Sequence, residues 1–280
     1  MSAYVILPPV NGEIYNEISS EAQRITLRQP NSAVLSLDTF DATSKRNSTF
    51  HFSGNRLVLG GIKRLTAADM TILWHGVNVN STNNLLRFSY STSSFETTVP
   101  EGSYNTPKKL MDALASAMNT AIGTSTMSWT DNAVKPGFGT LQSSSAFSFL
   151  DCPAVKFGKY LWNLPTQIPT TSLQIGQIGL IYTRWIDVMS GELTQYIKLS
   201  NASTSSSSYP SPGNFLARFQ LIFPQYEQGY KEISRRIQSY QNFNHSNDLQ
   251  SLDLSFRDEW GNPLFLYDNN DIVIDIYAEC

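Results

Sequence analysis

The chain has 280 residues with 20 basic and 23 acidic side chains, a net charge of −3. Charged residues make up 15% and aromatics 12%, where soluble domains usually carry ~25% charge. That balance excludes a disordered or coiled-coil protein. With Lys108-Lys109 and Arg235-Arg236 as isolated basic pairs, it also gives no basis for specific nucleic-acid binding through phosphates.

Residues 1–30 mix apolar residues with Pro8, Pro9 and Pro30 and show no sustained periodicity. They read as an extended N-terminal arm of the kind that lies on a neighbouring subunit. The opening "MSAYVILPPVNGEIYNE" has no basic region and its apolar run is broken by prolines, so it is not read as a signal peptide. No stretch reaches the roughly 18–20 apolar residues of a membrane span.

From Ala33 onward, short alternating runs predominate. "AVLSLDTF", "STFHFSG" and "FLARFQLIF" each predict a strand. "NRLVLGGIKRLTAADMTILWHGVNV" predicts two strands around Thr66–Asp69, and "NLLRFSYSTSSFETTVPEG" two more across a Ser/Thr turn. In "SYNTPKKLMDALASAMNTAIG", Asn105 or Thr106 can cap a helix, Pro107 suits its first turn, and Gly123 ends it. Leu110, Leu114, Ala117 and Met118 fall on one face of that helix, which should be buried, with Lys108 and Asp112 outside. The middle third is less regular. "IGLIYTRWIDVMSGELTQYIKLS" contains a buried strand and a turn at Ser190-Gly191, and residues 201–214, "NASTSSSSYPSPGN", form a low-complexity loop expected to be exposed.

Near the end, Leu252, Leu254 and Phe256 alternate with Ser251, Asp253, Ser255 and Arg257, the pattern of a half-buried strand. Asp258-Glu259-Trp260-Gly261-Asn262-Pro263 is turn chemistry, its acids expected to face water, and Ile272, Ile274 and Ile276 mark another strand. The fold class is therefore all-β: short antiparallel strands in a sandwich or barrel, with one inserted amphipathic helix and an extended arm. Residues 31–280 are assigned to one such domain, with room for a small insertion in the middle third.

Catalytic signatures are missing from the sequence. His51, His75 and His245 are isolated, with no zinc-like spacing, and there is no G-x-S-x-G, P-loop or G-x-G-x-x-G. Cys152 and Cys280 read as free thiols, one buried and one terminal, which suits assembly in a reducing compartment. We assign no catalytic residue, no cofactor and no metal ligand. Trp74, Trp129, Trp162, Trp185 and Trp260 read either as core and interface residues or as a sugar-stacking platform. A carbohydrate-binding module and a glycoside hydrolase thus stand as alternatives to a structural subunit; the hydrolase would need two carboxylates facing one cleft.

Four stretches, in order, resemble the penton or minor capsid proteins of virophages, polinton-like viruses and related large DNA viruses. They are "VPEGSYNTPKKLMDALASAMNT" (99–120), "FSFLDCPAVKFGKYLW" (147–162), "RWIDVMSGELTQYIKLSNAST" (184–204) and "LDLSFRDEWGNPLFL" (252–266). The second departs from the family's pattern in "AVKFGKYL". The resemblance implies an antiparallel jelly-roll β-sandwich over residues 31–280, a capsid subunit without enzymatic activity that forms a homopentamer at five-fold vertices. Its implied partners are the major capsid protein and other capsid subunits, in virions assembled in the host cytoplasm or nucleus.

Overall fold

The computed structural model describes residues 32–46, 48–53, 59–191, 215–238, 241–249, 251–266 and 271–279. The arm of residues 1–30 and the loop 201–214 lie outside them. In chain order the elements are β1 (Ser32–Asp38), β2 (Ser44–Arg46), β3 (Thr49–Ser53), β4 (Leu59–Trp74), β5 (Leu85–Tyr90) and β6 (Ser93–Thr98). Then come α1 (Pro107–Ile122), β7 (Ser128–Asp131), β8 (Gly139–Phe149), α2 (Pro153–Phe157), β9 (Thr170–Ile175) and β10 (Trp185–Met189). The last are β11 (Phe215–Gln220), β12 (Gly229–Gln238), β13 (Gln241–Leu249), β14 (Ser251–Arg257) and β15 (Ile272–Glu279).

Ten strands form one antiparallel ribbon in the order β1-β15-β4-β12-β11-β10-β14-β3-β2, with β13 added on β4. The ribbon folds over at β12, whose Gly229–Ser234 pair with β4 and whose Arg235–Gln238 region pairs with β11. With β2 and β13 set aside, the remaining strands pair first with last (β1·β15), second with seventh (β3·β14), third with sixth (β4·β12) and fourth with fifth (β10·β11). That nesting is a jelly roll, two interlocked Greek keys whose sheets bury their inner faces against each other. The core is built from alternate positions: Leu65, Met70 and Ile72 on β4, Ile272, Ile274 and Ile276 on β15, Phe50 and Phe52 on β3, and Leu252, Leu254 and Phe256 on β14. The period-two pattern at 252–257 is realised as expected, with Leu252 opposite Phe52 and Leu254 opposite Phe50.

One expectation fails here. Residues 59–74 form a single strand of 16 residues rather than two. Between Ala67 and Met70 the register against β15 shifts by a bulge, so both side chains face the core and the strand continues. Its first half pairs with β13 and its second with β12.

Between β4 and β10 the chain builds a second unit with its own core. Its sheet runs β6-β5-β8-β7, with β9 also paired to β8, and α1 covers one side. The α1 cap is Thr106, whose side chain accepts from Lys109 N, Pro107 lies in the first turn, and Gly123 closes the helix at φ 79. Leu110, Leu114 and Met118 are fully buried in the same core as Trp129, Leu141, Phe147 and Phe149, and Lys108 pairs with Asp112 on the outside. We expect Leu114→Ala to lower unfolding free energy by about 2–5 kcal/mol, because a fully enclosed site collapses little around the lost methyl groups. Urea unfolding followed by tryptophan fluorescence measures this, and a loss under about 0.5 kcal/mol would place α1 outside the core.

Candidate functional site

The chain crosses between the two cores twice, and both crossings are held by side-chain amides. On the outward crossing Asn78 donates from Nδ2 to the carbonyls of Tyr104 (2.9 Å) and Leu180 (3.2 Å), and accepts from Tyr104 N. Asn83 donates to Asn78 O, and Asn80 Oδ1 accepts from the backbone N and hydroxyl of Thr82. On the return, Gln225 Oε1 accepts from Tyr182 N at 2.6 Å and Thr183 N at 3.2 Å, while Trp74 Nε1 donates to Gln225 O. Asn78, Asn80, Asn83, Thr183 and Gln225 are all buried. Buried amides are tolerable because nearly every donor and acceptor finds a partner. Gly76, at φ +74, lets Tyr226 O approach so closely that a Cβ would sit 2.8 Å from it.

The Asp258–Pro263 turn packs into this junction. Its acids do not face water: Asp258 is 1% exposed and Glu259 9%. Asp258 Oδ1 accepts from the backbone N–H of Trp260 and Asn262, each at 2.9 Å, and Oδ2 accepts from Asn262 Nδ2 at 3.3 Å. The carboxylate thus builds its own turn from within, so residues 258–262 fold around it and take it out of solvent. Burial pushes the Asp258 carboxyl up to about 6, against the pull of its Asn262 and Trp260 donors and with a small push from Glu259. Tyr182 lies close by. Burial, then the Asp258 charge, raises its phenol well above the usual range.

Glu259 turns the other way. Its Oε2 accepts from Arg184 Nε at 2.9 Å and from Arg184 N at 3.3 Å. The Arg184 guanidinium lies over the rings of Tyr160 (4.2 Å) and Trp185 (4.4 Å). Arg218 also lies over Trp185, at 4.5 Å, and is held in a bidentate pair by Asp187 at 2.6 and 2.7 Å. Tyr160 in turn stacks on Trp260, with centroids 6.2 Å apart and planes 23° apart. The result is one column, Arg218–Trp185–Arg184–Tyr160–Trp260, running from the outer face of β10 and β11 into the segment after α2. Alternating guanidinium planes and π-faces attract one another, and fixed carboxylates set each arginine in place. The column is a clamp between the two cores.

No protein-family model and no curated protein matches the chain. The crystal structure of the mavirus penton protein is similar at a TM-score of 0.46 and 12% identity, covering 89% of this chain and 99% of that one. A likeness of that size decides nothing about function.

The other residues marked by the sequence are dispersed. Trp74, Trp129 and Trp162 are buried, and Trp185 is engaged by the guanidinium groups of Arg184 and Arg218, so these four rings form no open platform. His51 lies on β3 and His75 follows β4, well apart. Cys152 is buried and free, its sulfur accepting from Arg87 N. Among the described residues no group of three or more metal-ligating side chains occurs, and no helix is long and apolar enough to cross a membrane. An open cavity of about 620 Å³ lies between α1 and β7; its lining includes one carboxylate, Asp112, which Lys108 engages. The two carboxylates of the turn are each committed to structure, one inside its own turn and one to Arg184. Sequence reading located the turn but not the column. The only local trace of the column is the adjacency of Arg184 and Trp185.

Proposed function

We propose that the protein is a structural capsid subunit, a penton that closes the five-fold vertices of an icosahedral double-stranded DNA virus as a ring of five identical chains. Supporting this is where the four capsid-like stretches fall in space. Residues 99–120 bring Ser103 and Tyr104 to Tyr226 and Asn78, 147–162 bring Tyr160, 184–204 bring Arg184 and Trp185, and 252–266 bring Glu259 and Trp260. Stretches far apart in the chain thus meet at one junction, where they lock a jelly roll to a second β unit. A rigid two-unit block with committed carboxylates suits an architectural part that must present fixed faces to neighbours. On this reading the arm of residues 1–30 reaches the major capsid protein or another capsid subunit.

Native mass spectrometry of the purified protein tests the ring: we expect a species of five chains. A protein that stays monomeric at all concentrations and occupies a non-five-fold position in the virion would refute the penton role.

A further inference from the structure

The two outer faces of the jelly roll differ in charge. On the β1–β15–β4–β12 layer, the register places Asp38 level with Val273, Thr71 and Glu232, and Ser36 beside Asp275. Asp69 lies opposite Ser234, and Asp271 accepts from the hydroxyl of Tyr230. Five carboxylates are thus interspersed among exposed Val34 and Tyr230 and half-buried Leu73, Val273 and Tyr277. The cations with described side chains on this layer are placed elsewhere. Lys63 and Arg64 sit in the first half of β4, where Arg64 meets Glu279, and Lys231, level with core residue Ile72, pairs with Glu227.

The opposite layer carries Arg46, Arg184, Arg218 and Arg257 outward. Asp187 and Glu259 hold Arg218 and Arg184, and Asp253 is occupied by Ser190 Oγ and Gly191 N. Arg46 is exposed and Arg257 is bonded to the carbonyl of Gly261, so four arginines against Asp187, Glu259 and Asp253 leave this face one net positive charge.

We propose that the acidic β1–β15–β4–β12 face is a docking surface for a second copy of this chain, received on that copy's Arg46–Arg257–Arg218 face. The two faces look in opposite directions from one sandwich, so copies that meet this way associate head to tail. Such contact is heterologous, and it closes a ring or runs on as a filament rather than making a two-fold dimer. Apolar side chains interspersed with charges of one sign, meeting the opposite sign, steer and register such an encounter. The inference rests on the ring reading above and adds which faces make it.

The test uses the full chain and exposed residues outside both cores. One variant carries Asp69→Lys and Glu232→Lys on the acidic face, a second carries Ser44→Glu and Arg46→Glu on the basic face, and a third carries all four changes. Native mass spectrometry and light scattering read the assembly, and thermal melts check that each variant is folded. Each single-face variant should lose association at least tenfold, and the four-fold variant should regain it. If the wild type forms a ring that both single-face variants keep, the assignment of faces is wrong while the ring stands. Loss in one face variant only, or loss in both without recovery in the third, also overturns it. A wild type that never associates removes the ring reading and this inference together.

Discussion

Arg184→Ala is expected to lower the unfolding free energy by about 3–5 kcal/mol, the range for leaving a buried charge without its partner. The reason is an asymmetry across the pair. The Glu259 side chain is 2% exposed and that of Arg184 45%. Removing the arginine strands the buried carboxylate and also strips the guanidinium that lies over the rings of Tyr160 and Trp185. Removing the carboxylate charge as Glu259→Gln leaves an arginine that water can reach, and we expect a smaller loss of about 1–2 kcal/mol. Arg184→Lys should recover little, because an ammonium keeps the charge but lacks the flat, bifacial guanidinium. Denaturant titration gives the three values. Because the column joins two cores, Arg184→Ala should also split one cooperative unfolding transition into two. Equal losses for Arg184→Ala and Glu259→Gln, or a single sharp transition in both, would show that the column is not a clamp.

What could be read from the residues follows from the range of the interactions involved. Strand alternation and helix caps are local: Leu252-Asp253-Leu254 carries its own orientation, and Thr106-Pro107 through Gly123 carries both ends of α1. The bulge in β4 was not visible because Thr66–Asp69 looks like a break between strands. Only pairing with β15 on one side, and with β13 and β12 on the other, keeps it extended. The buried acids were misplaced for a related reason. A turn rich in Asp, Glu, Gly, Asn and Pro looks solvated by composition, and nothing local says that Arg184, 75 residues away, waits to receive Glu259. Tyr160 and Trp260 carry no periodic signal, since each stands in an irregular segment whose position is set by the meeting of the two units. Sites assembled from connections, not from repeating elements, are the part of a sequence that pattern reading resolves least.

The second large effect concerns pH and Asp258. Its folded-state value of about 6 stands above the ordinary 3.8 because burial disfavours the charged form. Between those two values the folded chain holds a proton that the unfolded chain has released, so stability falls as pH rises through this window. Above the folded value the ionised carboxylate is retained at a cost of about 3 kcal/mol, from roughly two pKa units at 1.36 kcal/mol each. Acidification from pH 7 toward 4 should therefore strengthen the junction through this group, the reverse of what a surface ion pair would do. Asp258→Asn keeps an oxygen for the N–H groups of Trp260 and Asn262 and presents an amide to the Asn262 side chain, which can turn its own oxygen to accept. It should preserve the turn and abolish this pH dependence, leaving the variant the more stable of the two at pH 7. Asp258→Ala loses all three acceptor contacts and should be destabilised by about 1–3 kcal/mol at pH 4, where the wild-type carboxyl is protonated, and this loss should shrink toward pH 7 as the wild type bears the cost of its buried charge. Thermal unfolding of the wild type and both variants from pH 4 to 8 separates these outcomes. A wild-type profile that Asp258→Asn leaves unchanged in slope between pH 4 and 6 would mean that the buried carboxyl does not titrate there.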